Sequence, residues 1–221
     1  MIAVCRKWKR YSLRMNRLRW SVLPLVAISV AFGQTEDQYR QFIAHVQNVL
    51  ALKAGAVVAD IGTGDSPEHP LHISKAVGET GKVICVDINQ KAIETLQRKL
   101  DESGAVNVQT QLGKPDDPML PVSGIDAVLI SFAYHEMVEH EAMLAHIRSA
   151  LRADGRLVVI EAISEKNRQV PRERQIKDHE LSPDILTGEL KAAGFEIPNG
   201  VETLSDKGGD LRYLVAARMP K

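Results

Sequence analysis

The stretch VVADIGTGD at residues 57–65 constrains the fold of this chain more than any other segment. Its apolar start is typical of a buried strand, and Gly62 and Gly64 follow where the backbone must turn sharply. A strand that leads through a glycine turn into a helix is the ligand-binding unit of an open α/β sheet. The segment therefore predicts an α/β fold whose ligand lies beyond the carboxyl end of this strand.

Short apolar strands and amphipathic helices alternate along the rest of the chain. Strands are predicted at 56–61, 82–88, 106–112, 125–131 and 156–163. Helices are predicted at 35–55, 70–78, 90–104, 139–155 and 181–194. Two final strands, at 195–204 and 211–219, are expected to run antiparallel to each other. Because the first five strands are continuously apolar, they predict a doubly wound, mostly parallel sheet with helices on both faces.

The first 33 residues have the pattern of an export signal. Seven of the chain's 28 Lys and Arg residues fall within 1–20, residues 21–33 carry no charge, and Ala31-Phe32-Gly33 provides a small-x-small cleavage site. The apolar run of about 12 residues is shorter than the roughly 20 that span a bilayer. We expect a signal at 1–33 and one domain at 34–221, exported to the periplasm. The alternatives are a membrane anchor, or a mis-assigned start before a cytoplasmic enzyme.

Charge narrows the choice of partners. Outside residues 1–20 the chain has 21 basic and 28 acidic side chains, a balance of −7 that the overall neutrality hides. Nucleic-acid binding depends on Lys and Arg that neutralise phosphates, so this balance argues against it. A small-molecule substrate is expected instead, with membrane contact only through the signal. Cys85 lies in an apolar run and is expected to be a buried thiol without a disulfide role.

Polar and glycine residues concentrate where the predicted strands end. In a parallel sheet these ends meet at one edge, so we expect the residues to line one site. A carboxylate at the end of the second strand is placed to accept hydrogen bonds from ribose hydroxyls. The candidate residues, in chain order, are Asp60, Gly62, Gly64, Asp87, Ile88, Asp116, Asp117, Ser131, Tyr134 and His135.

The turn itself discriminates between two cofactor classes. A nicotinamide dinucleotide site requires G-x-G-x-x-G, with the pyrophosphate on the following helix. Here Pro67 stands where the third glycine belongs, and Asp60 places a negative charge just before the turn. That charge suits a cation better than a pyrophosphate. S-adenosylmethionine is a cation, with an ammonium, a sulfonium and an adenosine, and is the cofactor we expect.

From about residue 35 onward the chain resembles the class I S-adenosylmethionine-dependent methyltransferases. The resemblance is carried, in the family's order, by VVADIGTGD, GKVICVDI, DDPMLPVSGIDAVLISFAYHEM and LRADGRLVVIEAI. It implies a seven-stranded Rossmann-like methyltransferase sheet whose last strand is antiparallel. It also implies that Asp60, Gly62 and Gly64 surround the amino-acid part of the cofactor, and that Asp87 binds its ribose. Ile88 and Ser131 are assigned to the same cofactor site.

The chain departs from this family at two places. Lys114 follows Gly113 where the family often has an acid, so Asp116 or Asp117 is expected to serve the adenine, unless the contact is to backbone. Ser66-Pro67 replaces the usual third glycine. Because the residues that a cationic cofactor needs come before this anomaly, we interpret the turn as modified and still able to bind.

His135 and Tyr134 are the candidates for contact with the methyl acceptor. A histidine at the mouth of the fourth strand is placed to take a proton from a hydroxyl or amine, although both residues equally suit a plain pocket wall. No metal is expected: His135 and His140 are separated by five residues, whereas two ligands on one helix turn need four. His69 and His72 are expected to be loop or surface residues. The charged segment 164–180 is either a solvated loop or a mobile loop over the site.

Three functions remain open at this point. Methyl transfer to a small molecule is the function that the residues favour. An exported protein that kept the fold without catalysis is the alternative, because S-adenosylmethionine is made in the cytoplasm. A nicotinamide-dependent oxidoreductase is the third, and Asp60 and Pro67 argue against it.

Overall fold

The computed structural model describes residues 36–220. Contacts between Cα atoms divide the chain after Gln41, and residues from Phe42 onward form one compact unit that contains every strand of the described residues. The predicted signal at 1–33 lies outside the described residues. None of the helices within the described range is both long and apolar enough to cross a membrane.

Strands and helices alternate along the chain as the sequence predicts. The strands are β1 Val57–Ile61, β2 Lys82–Asp87, β3 Val108–Leu112, β4 Ile125–Ser131, β5 Leu151–Ile163, β6 Val201–Lys207 and β7 Asp210–Arg218. The helices are α1 Glu36–Val49, α2 Glu68–Val77, α3 Gln90–Ser103, α4 His140–Ala150, α5 Arg172–Gln175 and α6 Pro183–Ala192. Short 3-10 turns occupy Tyr134–Glu136, Glu165–Asn167 and Ile176–Asp178.

The sheet has seven strands in the order β3-β2-β1-β4-β5-β7-β6. Neighbours from β3 to β5 pair in parallel, while β7 runs antiparallel to both β5 and β6. The chain leaves β1 toward β2 on one side and returns to β4 on the other, so strand order reverses between β1 and β4. The predicted doubly wound, mostly parallel fold is therefore confirmed, and the ligand-binding edge lies at the carboxyl ends of β1 and β4.

Each face of the sheet carries its own hydrophobic core. On β5, Val158 and Ile160 pack with α1, α2 and α3 residues, whereas Leu157, Val159 and Ile163 pack with α4 and α6 residues. All five of these side chains are fully or almost fully buried. Alternate residues of one strand thus enter opposite cores, which explains why the central strands are apolar throughout.

Several predicted boundaries are wrong. The helix expected to reach residue 155 ends at Ala150, because Leu151 takes an extended conformation and pairs with Ile125. The strand expected at 195–204 begins at Val201, and Glu196 only bridges to Arg218. The first turn of α2 begins at Glu68, directly after Pro67, rather than at residue 70.

Segment 164–180, expected to be irregular, folds into short helical turns. Gln175 is fully buried and donates to the carbonyl of Val170, while its side-chain oxygen accepts from the Ser182 amide. The amide of Asn167 donates to the carboxylates of Asp178 and Glu180. Buried polar groups with satisfied hydrogen bonds hold the segment to the domain.

Two helix starts offer a matched test of capping. Asn89 accepts hydrogen bonds from the Lys91 and Ala92 amides at the start of α3. Ser182 occupies the cap position of α6, but its side chain makes no capping hydrogen bond. We expect Asn89→Ala to lower the free energy of unfolding by about 1 kcal/mol, and Ser182→Ala to lower it by clearly less. Urea unfolding of both variants checks this, and equal losses would contradict it.

Candidate functional site

The glycine turn after β1 is held against its neighbours by backbone contacts. The Gly62 and Thr63 amides both donate to the Val86 carbonyl, at 2.8 and 3.2 Å. Gly62 has φ +75°, and a Cβ there would clash with the Ala133 methyl group. Gly64 has φ +65° and open space where a Cβ would stand. The turn therefore needs glycine at 62 for close packing, and at 64 it keeps the backbone accessible to a ligand.

Asp87 closes the turn from the end of β2. Its Oδ2 accepts from the Gly64 amide at 2.9 Å and its Oδ1 accepts from the Asn89 amide at 2.8 Å. Each oxygen retains a second lone pair, so the carboxylate is fixed in place and can still accept from ribose hydroxyls. Ile88 follows with 60% of its surface exposed, which leaves an apolar patch beside the carboxylate.

Asp60 is a buried acid of the turn region, and no cationic side chain of the described residues forms an ion pair with it. It is 3% exposed, and its Oδ2 accepts from the Thr63 hydroxyl at 3.1 Å. Burial raises the pKa of Asp60 to about 7; the Thr63 hydrogen bond opposes this rise and the charge of Asp87 adds to it. A cation bound beside Asp60 would offset the cost of burying its charge.

The segment after β3 begins beside Asp87 and then turns away. The Gly113 amide donates to the Asp87 carbonyl, and Lys114 and Asp117 exchange backbone hydrogen bonds. The Asp117 carboxylate accepts from the Met119 amide at 2.7 Å. Asp116 is exposed. Neither carboxylate contacts the glycine turn, so their predicted role at the adenine stays a prediction.

The end of β4 adds a polar group without a partner. The Ser131 hydroxyl is buried and has no hydrogen-bond partner among the described residues. Phe132 follows with φ +52°, a left-handed conformation that is costly for a bulky residue, and its amide donates to the Ile160 carbonyl. This sharp turn brings Ala133 against Gly62.

Tyr134 does not face a surface where an acceptor could bind. It is fully buried, and its hydroxyl donates to Glu189 at 2.9 Å. Burial, with further contributions from Glu189, raises the pKa of this hydroxyl well above its usual range. A catalytic role for Tyr134 is disfavoured by this placement, because its polar atom is committed to the core.

His135 pairs with a buried glutamate that the sequence reasoning missed. Glu161 on β5 is fully buried; its Oε2 lies 2.9 Å from His135 Nδ1, and its Oε1 accepts the His135 amide at 3.0 Å. Burial opposes charge on the imidazole, but the hydrogen bond to Glu161 and the charges of Glu161, Glu136 and Glu180 raise the pKa of His135. The sequence does contain a signal for this pair, because Glu161 is the only acid in the apolar run RLVVIEAI. A charge that is buried with such a strand requires a partner.

A small cavity lies on the α1 and α2 side of the sheet, and the roughly 280 Å³ of empty space at its position includes open solvent. It is mainly apolar and includes His69, His72 and Gln47. The full lining is Phe42, Ile43, Val46, Gln47, Leu50, His69, His72, Ile73, Leu129 and Ile160. Leu129 and Ile160 place it near the end of β4, because Ile160 is the strand partner of Ser131.

The expectation that His69 and His72 are loop or surface residues is wrong as to the loop. Both lie within α2, both are half-buried, and both line the cavity. Burial and the neighbouring His72 lower the pKa of His69 to about 4, so its imidazole is neutral at physiological pH. Tyr134 and His135, the residues predicted to contact the acceptor, are absent from the lining of this cavity, and their contact with an acceptor stays a prediction.

Comparison with known proteins assigns the family. The model of the ubiE/COQ5 methyltransferase family matches residues 28–178, more than half of the chain. The chain belongs to the ubiE/COQ5 methyltransferase family. The resemblance seen in the sequence is thereby confirmed at the level of family. The match includes the last six residues of the predicted signal, 28–33.

Related proteins and structures agree with this assignment. The ubiquinone/menaquinone biosynthesis C-methyltransferase UbiE of Escherichia fergusonii is 33% identical over 113 residues, which cover 50% of this chain and 44% of that protein. The chain thus spans less than half the length of this relative. A SAM-dependent methyltransferase from Aquifex aeolicus has the same fold, with a TM-score of 0.66, 24% identity, and coverage of 79% and 88% of the two chains.

A second solved structure extends the fold comparison. The geranyl diphosphate C-methyltransferase from Streptomyces coelicolor A3(2), solved with Mg²⁺, geranyl diphosphate and S-adenosyl-L-homocysteine, has a TM-score of 0.69. It is 13% identical, with coverage of 86% of this chain and 82% of that one. At this identity the likeness establishes the fold alone.

The raised pKa of Asp60 predicts an unusual pH dependence for this family member without its cofactor. The folded-state pKa of about 7 exceeds the ordinary 3.8, so the folded protein loses stability as pH rises through this window. At about 1.4 kcal/mol per pKa unit, the loss is on the order of 4 kcal/mol. We expect Asp60→Asn to unfold at higher urea concentration than the parent at pH 8, and to differ little from it at pH 4.

The exposed Asp101 on α3 provides the control for this measurement. Asp101→Asn is expected to leave the difference in stability between pH 4 and pH 8 unchanged. Between pH 4 and pH 8 the wild-type protein should lose more stability than Asp60→Asn does. Equal losses in the two proteins would contradict the assignment of Asp60 as buried and unpaired.

Proposed function

We propose that this chain is an S-adenosylmethionine-dependent methyltransferase acting on a small, largely apolar acceptor. The observation that carries the proposal is the edge formed by Asp60, the accessible backbone at Gly64 and the fixed carboxylate of Asp87. Membership of the ubiE/COQ5 methyltransferase family supports it. Together they favour catalysis over an exported protein that keeps only the fold.

The residues at this edge fit the cofactor. Asp60 would hold the cationic methionine end, whose charge compensates a buried acid that otherwise carries a raised pKa. Asp87 would accept from the ribose hydroxyls, and the exposed Ile88 side chain would cover one face of the adenine. A nicotinamide dinucleotide fits less well, because Pro67 caps α2 without an N–H for the pyrophosphate.

The cavity beside α1 and α2 is the proposed acceptor site. Its lining is mainly aliphatic and aromatic, which suits a small aromatic acceptor, and neutral His69 would accept a hydrogen bond from a hydroxyl on it. Matched relatives are named as C-methyltransferases of ubiquinone and menaquinone biosynthesis. We therefore propose a phenolic ring carbon as the atom methylated.

The cofactor, when bound, supplies a methyl group on a good leaving group. The chain would hold the acceptor in line with that methyl group. The activation free energy of methyl transfer falls because the entropy of alignment is already lost on binding. Rigid apolar walls such as Phe42 and Ile73 would set the plane of the ring. His135 and its partner Glu161 lie outside the lining of this cavity, so the proposal assigns them no proton transfer.

Binding measurements on the full chain test the cofactor assignment. We expect S-adenosylmethionine and its demethylated product to bind in calorimetry, and NAD to give no heat. Asp87→Ala should weaken the sulfur ligands at least tenfold, about 1.4 kcal/mol, whereas Asp101→Ala should not. Thermal unfolding of Asp87→Ala checks that the variant folds, and Asp87→Asn provides a milder change if it does not. Absence of binding by the wild-type protein at millimolar ligand would reject the proposal in favour of the non-catalytic alternative.

A turnover assay tests the acceptor class. With S-adenosylmethionine and a panel of phenols and quinols, we expect mass spectrometry to detect a product with one added methyl on carbon. His69→Gln should raise KM for the acceptor more than it lowers kcat, because it alters binding in the cavity. Methylation of amines alone would contradict the phenolic proposal.

We propose export to the periplasm on the strength of the basic and apolar pattern at 1–33. Fractionation of cells that produce a tagged full-length chain tests this. Recovery of a shortened protein in the periplasmic fraction is expected. Recovery of the full-length protein in the cytoplasm would reject export, and recovery in the membrane would favour an anchor.

A further inference from the structure

Three side chains with metal-ligating atoms converge beside the buried Glu161, outside the lining of the cavity. His135 Nε2 lies 3.8 Å from Glu136 Oε1, and His179 Nδ1 lies 3.2 Å from the same oxygen. One ligand atom from each of the three residues lies within 4.8 Å of the others. Two ligands of a tetrahedral zinc ion are about 3.4 Å apart, so the cluster is close to the size that a bound ion requires.

The fold, rather than the local sequence, brings these residues together. His135 and Glu136 belong to the 3-10 turn that follows β4, whereas His179 ends the turn Ile176–Asp178 with a left-handed φ of +59°. The Glu180 amide donates to the Gln175 carbonyl, and Gln175 is buried in the domain. His179 is thereby presented at a fixed position facing the first two ligands.

The ring of His135 is oriented as a metal ligand needs to be. Its Nδ1 meets the buried carboxylate of Glu161 at 2.9 Å, and an ionised carboxylate only accepts, so Nδ1 carries the proton. Nε2 then presents its lone pair toward Glu136 and His179. A carboxylate behind a ligating imidazole is the usual support of histidine metal sites.

The cluster is also accessible from solvent. His135 is almost fully buried, but the Glu136 and His179 side chains are 58% and 44% exposed. An ion can therefore enter without unfolding, and water can complete its coordination. Two imidazoles with one carboxylate are the donors of Zn²⁺ and Fe²⁺ sites rather than of Mg²⁺, which prefers oxygen.

We propose that His135, Glu136 and His179 bind a divalent transition-metal ion, with Zn²⁺ as the representative, supported by Glu161. The bound ion would cross-link the turn after β4 to segment 164–180, which lie about 43 residues apart along the chain. This site is separate from the proposed acceptor cavity, since Glu161 shares its sheet face with Val159 and Ile163, whereas Ile160 lines the cavity. The proposal does not depend on methyl transfer.

Metal titration of the full chain, stripped with a chelator and dialysed, tests the proposal. In competition with a chromophoric chelator we expect one equivalent of Zn²⁺ to bind, and Co²⁺ to give the visible absorption of a site with nitrogen ligands. His179→Ala and Glu136→Gln, both at exposed positions, should weaken Zn²⁺ at least tenfold. Zn²⁺ should raise the Tm of the wild-type protein and of neither variant.

His146→Ala is the matched control. His146 is a half-exposed histidine on α4 with its own neighbouring carboxylate, Asp117 at 3.9 Å, and it lies outside the cluster. Its loss should leave Zn²⁺ affinity unchanged. Glu161→Gln should weaken Zn²⁺ by roughly 10–100-fold if it folds, because it supports His135.

Two results would overturn the proposal. Either the wild-type protein binds no stoichiometric Zn²⁺, so that the three residues form only an ion-paired cluster, or His179→Ala binds Zn²⁺ as tightly as the wild type. Since no S-adenosylmethionine is present in these titrations, their failure would leave the cofactor measurements untouched.

Discussion

The carboxylate of Asp87 is the interaction on which the cofactor edge depends. One of its oxygens holds the Gly64 amide and the other holds the Asn89 amide, so it joins the turn after β1 to the start of α3. Asn89 in turn caps that helix. A single charged group therefore fixes two backbone segments with charge-assisted hydrogen bonds while keeping lone pairs for a ligand. The geometry of the edge is set before any cofactor arrives.

Glu161 and Asp60 are also buried acids, and they differ in their hydrogen-bond partners. Glu161 has a partner in His135, which accounts for both of its oxygens. Asp60 has only the Thr63 hydroxyl and carries a pKa near 7. A buried acid without a cation costs stability, and such costs concentrate at functional sites. This difference supports Glu161 as a residue that positions His135, and Asp60 as a residue that binds a cationic ligand.

The sequence predicted the sheet because periodicity and composition are local. The apolar runs that contain Val58, Val83 and Leu129 could only be buried strands, and Gly62 with Gly64 could only mark a tight turn. Helix ends were less certain: Leu151 continues the apolar pattern of α4, yet it is extended and pairs with Ile125, a residue distant along the chain that the local pattern does not reveal. Segment 164–180 shows no periodicity, since its order comes from buried hydrogen bonds such as those of Gln175.

For this protein the sequence alone determined the class of fold, the family, and the strand-end residues Asp60 and Asp87, because each rests on neighbours along the chain. Tertiary structure alone decided the rest. The packing buries Tyr134 with its hydroxyl on Glu189, and it places Glu161 within hydrogen-bond distance of His135. It also places His69 in the lining of the cavity and brings His179 into contact with Glu136, 43 residues away along the chain. Those relations join elements that are distant in sequence, and only the packing of the two sheet faces fixes which side chains meet.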